Sequence, residues 1–240
     1  MQETKRKLKR QPLRAAAFVS ALILIPATMA AGIIFFDGRK YYITSLLLIL
    51  YIMLPFFLSF ERRKPQPKEL AAAAVVCAVA AGGRIAFFWL PQFKPTAALI
   101  IMAGISFGPQ SGFLLGAVTA FVSNFYFGQG PWTPWQMLAL GLTGLAAGLI
   151  FKKSYLPDNP LLLSLFGAAA AIIIYGGIVN LGSLLISTGT VTVRSLAAAY
   201  LAGLPMDAVH AASTFIFLFF AAGPILKILK RIKAKYGIYV

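Results

Sequence analysis

One asparagine, two glutamines and five aromatic rings crowd into thirteen residues, Asn124-Phe-Tyr-Phe-Gly-Gln-Gly-Pro-Trp-Thr-Pro-Trp-Gln136. This is the chemistry of recognition: aromatic faces stack on flat organic molecules, and a few amides fix their orientation. Asn124, Tyr126, Gln129, Trp132, Trp135 and Gln136 are the candidate binding groups. Two glycines and two prolines hold the segment in irregular backbone, which hydrocarbon tolerates only where it is buried or lines a cavity. The competing reading is an interfacial belt, with Trp and Tyr riding at headgroup level.

Other polar groups stand in otherwise apolar surroundings. Arg84 lies sixteen residues after Lys68, so on a helix it sits about 24 Å further along. An arginine at that depth either snorkels to the headgroups or meets a partner in a cavity. The connection Leu90-Pro-Gln-Phe-Lys-Pro-Thr96 brings Lys94 to the same side as the aromatic loop. In Leu204-Pro-Met-Asp-Ala-Val-His210, Asp207 and His210 are three apart and share a helix face, just after Pro205, which is expected to kink the helix. They make either a proton relay or structural partners, with Arg84 as a candidate counter-ion for Asp207. Asn180 and Tyr175 precede them as ligand contacts or helix ties. No nucleophile–base–orienter set is present. The single His210 and single Cys77 exclude multi-histidine metal chemistry and intrachain disulfides, so no metal or cofactor is expected.

The elements that must position these groups are membrane helices. The chain has 240 residues, 60% hydrophobic and 12% charged, in long continuous apolar runs. That composition excludes a soluble domain and points to an all-α integral membrane protein. Eight apolar segments are read at about 14–36, 43–60, 69–90, 96–108, 111–127, 134–151, 160–186 and 196–226. The fourth is too short to span and is stopped by Gly108-Pro109. The first follows six basic residues and is read as an uncleaved helix rather than a signal peptide. The net charge of +16 comes from cations at the ends of apolar runs, which suits anionic lipid rather than nucleic acid. With the N-terminus inside, seventeen basic residues lie on the cytoplasmic side and four on the outer side, so both termini are expected in the cytoplasm. The linker Glu61-Arg-Arg-Lys-Pro-Gln-Pro-Lys68 divides a two-helix hairpin over 1–67 from a six-helix core over 68–240. In the first core helix, Ala74, Ala78 and Gly82 form one small-residue row, and Ala73, Cys77 and Ala81 its neighbour. Such rows let a second helix approach, either within the chain or on a separate subunit.

From Lys68 to its tail the chain resembles the substrate-binding S components of energy-coupling factor (ECF) vitamin transporters, and among them a cobalamin-type subgroup. The resemblance rests on the alanine-rich helix ending in Gly82-Gly-Arg84, on Lys94-Pro-Thr through Gly108-Pro-Gln-Ser-Gly112, on the aromatic loop, and on Asp207-Ala-Val-His210. It implies a six-helix binding subunit of the prokaryotic plasma membrane, not an enzyme, that captures one micronutrient from outside. It implies docking through Ala74, Ala78 and Gly82 to a membrane T component coupled to two ATPase subunits. It implies loops around Lys94 and Gly128–Gln136 that cap the ligand, with cobalamin or a related corrinoid as the expected substrate. The hairpin over 1–67 departs from the six-helix form. The alternative is a stand-alone proton-coupled secondary transporter using Asp207 and His210. A membrane enzyme would need a catalytic set, which the sequence does not offer.

Overall fold

Proline and glycine set where the helices begin and end. A computed structural model describes residues 66–151, 159–188 and 191–236, with scattered helical positions between Leu47 and Phe57. Among the described residues there are helices and no strands. They are α1 (Pro67–Ala86), α2 (Thr96–Phe107), α3 (Pro109–Phe127), α4 (Thr133–Ile150), α5 (Pro160–Ser187) and α6 (Val193–Tyr236). Helices α1, α3, α4 and α5 each carry proline in the first two positions, where its missing N–H costs nothing and its fixed φ suits the helix. Asn159 caps α5 by accepting from the backbone N–H groups of Leu161 and Leu162. Between α2 and α3, Gly108 adopts φ 93°, a conformation that residues with a Cβ rarely enter.

Four of these helices, α1, α4, α5 and α6, are long and apolar enough to cross a membrane. Helix α2 is not, as its length led us to expect. It survives because the other five helices surround it: ten of its twelve residues are buried, and Ile100, Ile101 and Met102 are fully enclosed. Its backbone approaches α3 and α4 at a contact built from glycine. A Cβ on Gly112 would stand 2.5 Å from the Gly144 carbonyl oxygen, and one on Gly104 would meet that same oxygen. Small residues allow such approach where lipid supplies no hydrophobic drive between helices.

Helix α6 extends ten residues past the expected end at 226. The cations Lys227, Lys230, Arg231, Lys233 and Lys235 are good helix formers, and the last of them complement the carbonyl end of the helix dipole. Its 44 residues span about 66 Å, well beyond a bilayer core. Lys233 donates to the Ser106 carbonyl at the end of α2, at 3.3 Å. The helix continues unbroken through Pro205 and Pro224. Helix α5 contains one π-helical stretch, Ala171–Gly176, next to the site described below.

The hairpin expected over 1–67 lies largely outside the described residues. Its described positions Ile49 and Met53 pack with Phe113, Ala117, Trp135 and Leu138, beside Ile178 and Leu181 of α5. Ala74, Ala78 and Gly82 of α1 are exposed, while Cys77, Ala80 and Ala81 turn inward. Of the two small-residue rows, Ala73–Cys77–Ala81 is therefore the one that packs within the chain.

Candidate functional site

At the Lys94 end of the bundle each of the six helices α1 to α6, or the loop beside it, contributes to one cleft. Arg84 comes from α1, Gln92 and Lys94 from the α1–α2 loop, and Thr96 from the first residue of α2. Ala120 of α3, Gln136 and Leu140 of α4, Tyr175 of α5 and His210 of α6 complete the wall. The space among these side chains is about 340 Å³ when the open solvent at its mouth is counted, so little of it is enclosed. The loop is fixed to α6 by Ser213, whose hydroxyl donates to the Lys94 carbonyl at 2.9 Å. Gln92 takes φ 56°, a left-handed conformation that carries strain in a residue with a Cβ and is enriched at functional sites.

Arg84 turns inward. Its guanidinium donates to the Ser123 hydroxyl, to Asn124 Oδ1 at 2.8 Å and to Gln136 Oε1 at 3.4 Å. Asn124 is 1% exposed, and its amide donates to Thr133 Oγ1 at 3.0 Å and to Gln136 Oε1 at 2.9 Å. Thr133 in turn donates to Gln129 Oε1 at 3.0 Å, and Gln129 donates to the Phe121 carbonyl at 2.9 Å. One hydrogen-bonded chain thus runs from the cleft wall to the aromatic loop. The Phe127 ring lies beneath two cations, with the Arg84 guanidinium carbon 4.6 Å and the Lys94 ammonium 4.7 Å from its centroid. Burial, and then the charge of Arg84, hold the Lys94 ammonium below the usual lysine range. His210 meets the Tyr175 ring edge-on at 4.6 Å, and its Nδ1 is buried without a hydrogen-bond partner.

The structure thus brings Arg84, Lys94, Gln136 and His210 together around one space, with Asn124 directly behind them. The remaining expected residues stand apart. Trp135 is 7% exposed, and Gly182 packs against its indole, so it fills the apolar cluster with Ile49 and Met53. Tyr126 is exposed and meets Phe88 at 6.2 Å. Trp132 is 44% exposed and donates from its indole N–H to the Gly128 carbonyl at 3.3 Å, so it caps the loop rather than the cleft. Asn180 donates to Asp207 Oδ2 at 2.7 Å, between the close-packed Gly176 and Gly203. Asp207 is therefore partnered by Asn180 and not by Arg84, which corrects the ion pair considered from sequence.

The sequence placed Gln92 and Thr96 on the same rim as Lys94 and offered Tyr175 as a possible ligand contact, and all three line the cleft; Ala120, Ser123 and Leu140 were not anticipated. Helical spacing carried part of the signal, since Ala120 lies one turn before Asn124 and Leu140 one turn after Gln136.

Comparison with known proteins accords with this architecture. The chain is 30% identical over 108 residues to a UPF0397 protein of Vibrio atlanticus, covering 42% of this chain and 59% of that protein. It is 32% identical over 72 residues to UPF0397 proteins of Aliivibrio fischeri and Aliivibrio salmonicida, covering 28% of this chain and 39% of theirs. The chain therefore spans between two fifths and three fifths of the length of these curated relatives. No solved structure matches the chain. Residues 66–231 match the family model described as ECF-type riboflavin transporter, S component. On that match over most of its length, this multi-pass helical membrane protein belongs to the family of ECF-type riboflavin transporter S components.

Proposed function

We propose that this chain is the substrate-binding subunit of an ATP-driven ECF importer and takes a flat, carbonyl-bearing heteroaromatic micronutrient of about riboflavin's size. The observation that carries this reading is the chain Arg84–Asn124–Thr133–Gln129, with Gln136 branching from both Arg84 and Asn124. It joins a polar cleft to the loop that would close over a ligand. Guanidinium and amide donors suit ring carbonyls, while Tyr175 and Leu140 offer flanking surface. The name of the matching family favours a riboflavin-sized ring system over the corrinoid expected from sequence.

The exposed row Ala74, Ala78 and Gly82 is the proposed contact for a T component that bears two ATPase subunits. The described positions of the N-terminal segment pack on the α3–α4–α5 side, which supports α1 remaining open to such a partner. The basic-residue bias supports a cytoplasmic location for both termini and an outward cleft. The Asn180–Asp207 hydrogen bond favours a structural Asp207 over a proton relay.

Mass spectrometry of the small molecule that copurifies with the full chain tests the substrate reading. A heteroaromatic of riboflavin's size is expected, and a corrinoid would restore the cobalamin assignment. Uptake into proteoliposomes that requires the T component and ATP supports the coupled arrangement. Uptake by this chain alone under a pH gradient would replace it with the secondary transporter.

A further inference from the structure

Two cations face the cleft, and neither has a counter-charge among the described residues. Three of the five Arg84 donors go to neutral acceptors, which orient the guanidinium without cancelling its charge. The Lys94 ammonium rests on the Phe127 ring. Among the described residues the carboxylates are Glu69, in the first turn of α1, and Asp207, already held by Asn180. Neither lines the cleft. Opposite the loop, His210 is 6% exposed and lines the cleft, yet its buried Nδ1 has no partner. Buried polar atoms are normally satisfied, so an orphan beside a cleft calls for an explanation. A neutral carbonyl could answer the histidine but would leave the two positive charges uncompensated in a partly desolvated site.

We infer that the ligand presents an anionic oxygen group, a carboxylate or a phosphate monoester, to Lys94 and His210. This rests on the substrate-binding reading above and adds to it the charge of the ligand. The ammonium offers three donors, and the imidazole adds another in the tautomer that carries its proton on Nδ1, which a multi-oxygen anion accepts together. An anion there also relieves the desolvation and like-charge repulsion that weaken the Lys94 ammonium. The same chemistry belongs to an anionic lipid headgroup, so the test must separate the two sources.

The experiment uses the full chain in nanodiscs of zwitterionic lipid, titrated with matched neutral and anionic probes. The pairs are riboflavin with riboflavin 5′-phosphate and nicotinamide with nicotinate. The anionic member should bind at least about tenfold more tightly in a pair that binds, as expected for a charge-assisted contact out of water. Lys94→Gln should level that pair, and Lys94→Arg should keep the preference. Equal affinity within every binding pair, or preference for the neutral member, would overturn the inference while leaving the heteroaromatic reading intact. If no probe binds, the heteroaromatic reading falls and this inference falls with it. Loss of the preference when phosphatidylglycerol is added to the nanodisc would assign Lys94 to lipid and likewise overturn the proposal.

Discussion

Asn124→Leu is the most informative single change, because Asn124 joins the cleft to the loop while filling a site with no exposure to spare. Leucine keeps the branch at Cγ but is bulkier and makes no hydrogen bond, so crowding at this buried site adds to the loss. The substitution removes contacts to Arg84 at 2.8 Å, Thr133 at 3.0 Å and Gln136 at 2.9 Å. At the average of about 0.6 kcal/mol measured for hydrogen bonds between membrane helices, the three sum to about 2 kcal/mol. At about 1 kcal/mol for each neutral bond and up to about 3 for the one to a charged group, they sum to about 5. The upper figure is favoured because Arg84 would lose a partner within the helix bundle and Thr133 would lose a donor in a residue only 5% exposed. The expected loss is therefore about 3–5 kcal/mol of stability, read by reversible unfolding in bicelles or as a fall in Tm in nanodiscs. Affinity for the copurifying ligand should fall with it, because Gln136 is released from its place in the wall. An Asn124→Leu protein as stable as the parent, with unchanged ligand affinity, would show that this network neither holds the fold nor shapes the cleft.

The two tryptophans should separate in a single comparison. Trp135→Ala empties a buried site and should cost about 3–5 kcal/mol in unfolding measurements, whereas Trp132→Ala should leave stability nearly intact and weaken ligand binding by about 1 kcal/mol through a looser loop. Equal effects on stability would contradict their different burial. Ala78→Leu should abolish copurification with a T component and ATP-coupled uptake while sparing ligand affinity, since a larger side chain on that exposed face holds a partner helix away. A loss of ligand binding instead would place this row inside the fold. Asp207→Asn should retain ATP-dependent uptake, because an amide oxygen can still accept from Asn180; loss of gradient-driven uptake in this variant would instead reveal a relay.

Local backbone chemistry was legible from the residues alone. The Gly108-Pro109 break and the shortness of α2 both follow from φ restrictions and helix length, which need no neighbours. The class of the molecule followed equally from long uncharged runs. The first core helix carried two small-residue rows, and its sequence could not say which one packs inward. Which of two tryptophans three residues apart is buried depends on the face that α4 turns to α3 and α5, and tertiary packing alone fixes that face. The partners of Arg84 lie 39, 40 and 52 residues away along the chain, beyond any periodic signal. Asp207 found Asn180, 27 residues back, because glycines at 176 and 203 let α5 and α6 close around the pair. Sequence set the kinds of groups available to the cleft. The approach of helices, decided by small residues at their crossings, selected which of those groups face one another.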